Sequence, residues 1–321
     1  MIIDMPATTT SAVNSKLVHL RETGGAVALG RVMTLVLVAD DVDADQAIEA
    51  ANDASREHPC RVIALARSNR RGTSRLDAQI RVGGDAGASE VIVLRLYGPL
   101  VDHGDSVVVP LLLPDAPVVD WWPGPAPERP AADPIGRMAQ RRITDASASR
   151  NPARTLADRA TSYSPGDTDL AWTRITRWRA LLAAALDQPP YEPVSRAVVS
   201  GASDSPSSDL LGAWLGHRLR CDVVRRKTPP GTGMVGVVLE RPSGPVSLQR
   251  PDGDVATLTQ PGQPERRIAM PRRSDVDCLL EELRRLDPDE VYAETLAKGL
   301  PRLRGKAKKA GGSAKAEAAD G

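Results

Sequence analysis

The 321-residue chain has no phenylalanine, four tyrosines and five tryptophans. Its core must therefore be mostly aliphatic, and a hydrophobic content of 41% is enough to build one. Cysteine is nearly as scarce: Cys60, Cys221 and Cys278 are widely spaced, odd in number and outside any CxxC or Cys/His cluster. That excludes a disulfide scaffold and a zinc site and fits a reducing compartment. Lysine is depleted too, seven residues against 35 arginines, with five of the seven at or after Lys298. A net charge of +1 gives no overall field to hold nucleic acid or a membrane surface. The most apolar run, VVVPLLL at 107–113, is far shorter than the roughly 20 residues of a membrane span. MIIDMPATTT has no basic stretch leading into an apolar one, so no secretory signal is expected. These absences predict a cytoplasmic protein with no membrane partner.

Catalytic signatures are missing as well. The four histidines (His19, His58, His103, His217) are isolated, no serine sits in a GxSxG frame, and there is no P-loop. Gly231–Gly236 reads GTGMVG, a literal GxGxxG. A dinucleotide fingerprint needs a strand before it and a helix after it, so that helix N–H groups meet the pyrophosphate. Here prolines precede it and the strand-like VVLERP follows, so it reads as a turn. No catalytic residue, metal or cofactor is assigned.

The segments that are present alternate between two periods. RVMTLVLVA (31–39), CRVIALARS (60–68) and SEVIVLRLYG (89–98) are strands buried on both faces, QIRV (79–82) is a further strand, and 43–58 is a helix. Val13, Leu17 and Leu20 follow the Thr8–Thr10 cap hydroxyls at helical spacing and predict a helix stopped by Gly24-Gly25; residues 99–112 fit either a helix or a strand broken at Pro110, with the helix favoured. VVDWW (118–122) is the next strand, followed by a proline-rich loop (123–134), a short helix over PIGRMAQRR, a strand candidate over ITDAS (143–147) and a helix over PARTLADRA. Ala171, Ile175, Trp178, Leu182 and Ala185 form one apolar stripe, which predicts a single helix over 169–187. Then come strand 196–201, helix 207–220, strand CDVVRR, and four short runs over 233–270 that predict an antiparallel meander. Two helices (274–286, 287–300) follow. The expected organisation is two α/β domains, 1–168 and 169–304, with the meander in the second. GKAKKAGGSAKAEAADG (305–321) is expected to be a disordered tail.

Two features are candidates for binding. Trp121 and Trp122 are adjacent, and neighbouring strand residues point to opposite faces. One indole should therefore pack under the sheet while the other faces elsewhere at a strand end, where open α/β sheets border their ligand crevice. The alternative is that both pack under neighbouring helices. The second feature is an arginine group: Arg137, Arg141, Arg142, Arg150, Arg154 and Arg159 after the tryptophans, then Arg174, Arg177 and Arg179. Arginine forks suit carboxylates and phosphates. Equally, the group is a solvated face paired with Asp145, Asp158, Asp167 and Asp169. Trp121, Trp122, Arg137, Arg141, Arg142, Arg174 and Arg177 are the partner- or ligand-binding candidates.

TTTSAVNSKL, GGAVALGRVMTLVLV, HPCRVIAL, VVVPLLLPDAPVVDWWPG and DTDLAWTRITRWRALLAAALD, in this order, resemble the glucose-6-phosphate dehydrogenase assembly (OpcA) family, closest to its actinobacterial branch. The resemblance runs from about residue 4 to about residue 300. It implies a non-catalytic factor that assembles and activates glucose-6-phosphate dehydrogenase, its partner in the oxidative pentose phosphate pathway. A different class of function also stays open: a sugar-phosphate-binding sensor or enzyme using the arginines between 137 and 179. The six basic residues from Arg302 to Lys315 could give only salt-sensitive, non-specific nucleic-acid affinity.

Overall fold

A computed structural model describes residues 1–23, 32–82 and 90–303. The Gly24-Gly25 helix stop and the 305–321 tail lie outside the described residues. In chain order the elements begin with β1 (Ile2–Thr8), α1 (Thr10–Thr23), β2 (Met33–Asp40), α2 (Asp41–Ala54) and β3 (Cys60–Arg67). Next are β4 (Arg75–Val82), β5 (Glu90–Tyr97), α3 (Gly104–Val108), β6 (Val118–Trp121) and β7 (Arg141–Thr144). Then follow α4 (Pro152–Ser162), β8 (Asp167–Asp169), α5 (Leu170–Thr173), α6 (Thr176–Leu186), β9 (Arg196–Ala202) and α7 (Pro206–Arg218). The last are β10 (Asp222–Thr228), β11 (Met234–Glu240), β12 (Val246–Gln249), β13 (Val255–Thr259), β14 (Arg266–Ala269), α8 (Asp275–Leu283) and α9 (Glu290–Glu294).

The chain forms two compact units, each made of more than one segment. Unit 1 comprises Met1–Ala148, Ser164–Leu170 and Ser274–Pro288; unit 2 comprises Ser149–Tyr163, Ala171–Arg273 and Asp289–Gly321.

Unit 1 is built on an eight-stranded sheet in the order β1-β4-β5-β3-β2-β6-β7-β8. The six strands from β5 to β8 in that order are parallel, with β4 and β1 added antiparallel at one edge. The unbroken apolar runs of β2 and β3 follow from cover on both faces. On one face Leu35, Leu37, Val62 and Trp121 pack with Ile48 of α2 and Leu279 of α8. On the other, Val36, Ile63, Leu94 and Trp122 pack with Val13 and Leu17 of α1 and with Val107 and Leu111.

Two local expectations change in this unit, and one strand is new to it. Residues 2–8, to which the sequence assigned no element, form a strand paired with β4; as an edge strand it is mostly exposed and lacks the buried-strand signature. The predicted helix over 99–112 is α3 flanked by 3-10 turns at Gly98–His103 and Val109–Leu111, because Pro99 and Pro110 cannot donate to a continuous α ladder. The predicted helix over 134–142 is a run of turns at 134–138, after which Arg141 and Arg142 enter β7.

Unit 2 is a six-stranded sheet in the order β10-β9-β11-β12-β13-β14. β9 and β10 are parallel, joined through α7; on the other side of β9 the sheet continues antiparallel through β11 to β14, the predicted meander. Val246, Leu248, Ala256 and Leu258 alternate into a core shared with Trp178, Leu182, Leu210 and Leu211. The single helix predicted over 169–187 is divided into β8, α5 and α6, with Arg174 and Ile175 between the two helices. Its stripe survives: Ala171, Ile175, Trp178, Leu182 and Ala185 are all buried. The start is displaced because Asp167–Asp169 pairs in register with β7 before a helix can begin. After α9 a π-helical turn, Thr295–Gly299, brings Gly299 against α7, where a Cβ would lie 2.4 Å from the Ala213 carbonyl oxygen. Only glycine allows that approach.

Candidate functional site

The crevice of a doubly wound sheet lies at the carboxyl ends of its strands, where the chain reverses its direction of travel. In unit 1 that point is between β2 and β6. From β2 the chain passes through α2 to β3 on one side; after β5 it returns past β2 and enters β6 on the other. β2 ends in Ala39-Asp40 and β6 in Asp120-Trp121, so the tryptophan pair sits at this switch point.

Trp121 and Trp122 are each 1% exposed, on opposite faces of the sheet. The alternation expected from a strand holds, but neither indole is left facing outwards, because helical segments cover both faces. On the Trp121 side a cleft of about 520 Å³ runs along α2, from Asp43 to Asp53, and reaches the start of α8. Ala39 and Asp40, Trp121, and Pro123–Pro125 line it with Asp43, Gln46, Ala47, Ala50 and Asp53 of α2 and Ser274–Val276. The Trp121 indole N–H has no acceptor. On the Trp122 side a smaller pocket of about 170 Å³ is lined by Arg67, Arg70, Asp102, Asp105 and Asp133 among others.

The β2–α2 junction decides what the crevice can hold. Dinucleotide-binding sheets place a glycine-rich turn here so that helix N–H groups meet pyrophosphate. This chain instead has Ala39-Asp40-Asp41-Val42-Asp43-Ala44-Asp45, with no glycine and four carboxylates. Asp40 pairs with Arg67 at 3.1 Å, and Arg95 bridges Asp41 and Asp45 at 3.1 and 3.4 Å. A phosphate brought to α2 would meet like charge. The other literal glycine motif is a turn between β10 and β11, with Gly231 and Gly233 at φ +77° and +68°.

The arginine candidates are divided between the units. In unit 1, Arg141 is buried, and its Nε and Nη2 donate to Glu282 of α8 while Nη1 donates to the Asp287 carbonyl at 2.8 Å. Arg142 is buried also: Nε donates to Asp167, and its other nitrogens donate to the carbonyls of Ala139 (2.7 Å) and Pro165 (2.5 Å). Arg137 is exposed, with Nε on the Ala132 carbonyl at 3.1 Å. In unit 2, Arg174 is half-buried, Arg177 is exposed, and the Arg179 guanidinium lies 3.7 Å over the Trp172 ring. Trp172 itself donates to Asp289 at 2.8 Å and packs on Tyr292. Arg154 is exposed and Arg159 buried.

One group escaped the sequence reading. Asp120 is fully buried beside the tryptophans, and neither carboxyl oxygen has a hydrogen-bond partner. Burial pushes its carboxyl well above the usual range; Arg142 opposes this and Asp133 adds to it. The available signal was a carboxylate inside VVDWW, a run in which every neighbour is bulky and apolar. Among the described residues no cluster of His, Cys, Asp or Glu could hold a metal ion, and no helix is long and apolar enough to cross a membrane.

Together these features define a two-unit α/β protein whose dinucleotide-type crevice lacks the phosphate-binding turn. Two family models match in chain order: the glucose-6-phosphate dehydrogenase subunit N-terminal domain over residues 51–161 and the corresponding C-terminal domain over 165–296. The chain belongs to this family, the OpcA glucose-6-phosphate dehydrogenase assembly family. No curated protein matches. Among solved structures, a 3-ketoreductase from Actinomadura kijaniata in complex with NADP, KijD10, is 10% identical with a TM-score of 0.46, covering 85% of this chain and 96% of its own. Glucose-6-phosphate 1-dehydrogenase from Mycobacterium avium is 12% identical with a TM-score of 0.43, covering 85% and 92%. An oxidoreductase from Sinorhizobium meliloti is 10% identical with a TM-score of 0.47, covering 85% and 95%. Likeness at this level establishes neither a shared activity nor a shared ligand.

Proposed function

We propose that this chain is a non-catalytic, cytoplasmic assembly factor that binds glucose-6-phosphate dehydrogenase and favours its active oligomer or conformation. The observation that carries this reading is the ordered match to both family domains, each described as a dehydrogenase subunit. The acidic β2–α2 junction supports it, since it offers no cradle for a nucleotide phosphate. An activator need only bind the active state better than the inactive one; a preference of about 1.4 kcal/mol moves their ratio tenfold. Purified dehydrogenase assayed with and without the chain tests the proposal, with complex size followed in parallel. A sugar-phosphate role for the arginines has less support, because Arg141 and Arg142 spend their donors inside unit 1.

A further inference from the structure

The cleft beside Trp121 has features that point to one kind of ligand. Its lining includes the carboxylates of Asp40, Asp43, Glu49, Asp53 and Asp275 and, among the described residues, no lysine or arginine; Asp40 and Asp53 are paired with Arg67 and Arg56 outside the lining, which leaves Asp43 and Glu49 as its main acidic contribution. Its floor holds a tryptophan that is 1% exposed and whose indole N–H has no acceptor. A buried donor without a partner costs free energy, and a ligand carrying a carbonyl oxygen relieves that cost. The rim repels anions and attracts cations. Along α2, Asp43, Gln46, Ala47, Ala50 and Asp53 follow helical spacing, so short apolar side chains lie between the acidic ones. That surface suits long basic side chains, which lay their methylenes on apolar ground and keep the charge at the edge. A simple polyamine supplies no carbonyl for the indole. A metal ion is a poor match as well, because the carboxylates do not converge into a cluster that could ligate one.

We propose that this cleft seats a basic, extended segment of the dehydrogenase, with arginine or lysine side chains on the carboxylate rim and a main-chain carbonyl on the Trp121 indole N–H. The proposal rests on the reading of the chain as a dehydrogenase-binding protein and specifies the surface it uses.

The test has two arms on the full chain. In the first, the chain labelled with ¹⁵N at its indole nitrogens is titrated with an acetylated, amidated tetra-arginine peptide at low salt. The expected result is a saturable shift of the Trp121 resonance, assigned by its loss in Trp121→Phe. The Glu49→Lys/Asp53→Lys double variant, on exposed positions of α2, should weaken peptide binding at least tenfold. The absence of any Trp121 shift overturns the proposal. In the second arm, affinity for the dehydrogenase is measured for wild type, for the double variant and for Asp252→Lys, an exposed position of unit 2. The double variant should weaken the complex at least tenfold and Asp252→Lys should not. A complex that the double variant leaves intact overturns the cleft while sparing the partner. If wild type forms no complex, the partner reading falls, and a peptide shift abolished by charge reversal still supports a basic-peptide site.

Discussion

Asp120 and Arg142 stand opposite each other in the register of β6 and β7, yet the guanidinium donates nothing to the carboxylate. Arg142 is occupied by Asp167 and by the carbonyls of Ala139 and Pro165. Asp120 is left buried, and burial raises its affinity for a proton. A carboxyl whose folded-state affinity is raised contributes stability in full below the unfolded value, roughly pH 4, and that contribution is lost as pH rises towards the folded value. Stability measured in urea should therefore fall with pH above about 4 more steeply in wild type than in Asp120→Asn. Identical pH slopes for the two proteins would show that Asp120 has a partner.

The two tryptophans are buried to the same degree on opposite faces. Truncating a buried tryptophan costs about 3–5 kcal/mol. Trp121→Ala and Trp122→Ala should each lower the urea midpoint by a comparable amount. If one of them unfolds at the wild-type midpoint, its indole is not in the core.

The pairing of Arg141 with Glu282 fixes α8 on unit 1 through a buried ion pair between residues far apart in sequence. Removing one partner strands the other charge, at a cost of about 3–5 kcal/mol. Glu282→Ala should be strongly destabilising, and the Arg141→Met/Glu282→Leu double variant much less so. A double-mutant cycle checks this; strictly additive losses would remove the interaction from the account.

Gly299 is a packing requirement. Gly299→Ala would drive a methyl into the Ala213 backbone, and overpacking of that kind costs about 1–3 kcal/mol. Thermal unfolding of the single variant measures it, and an unchanged midpoint would mean that α7 and the 295–299 turn are not in close contact.

Legibility in the sequence followed burial. β2, β3 and β5 could be read because a strand covered on both faces is apolar at nearly every position, and the meander because Pro/Gly turns punctuate it. β1 was hidden by being an edge strand with polar alternation. β7 was half read: ITDAS (143–147) suggested a strand, but its first residues were given to a helix, because Arg141 and Arg142 look like surface until Glu282 and Asp167, 141 and 25 residues away, are brought beside them. The site was half legible. DWWPG marked a strand end, but the acidity of the cleft is assembled from α2 and the 274–276 turn, which no local pattern connects. Asp120 carried a signal that went unread, a lone carboxylate in an apolar strand.

The central claim is that this chain acts through the dehydrogenase, and the most direct measurement is the activity of purified glucose-6-phosphate dehydrogenase as this chain is titrated in, with complex formation followed in the same samples. The account predicts a saturable rise in activity that tracks formation of a stable complex. Full dehydrogenase activity that is unchanged at saturating chain, with no complex detected, would contradict it.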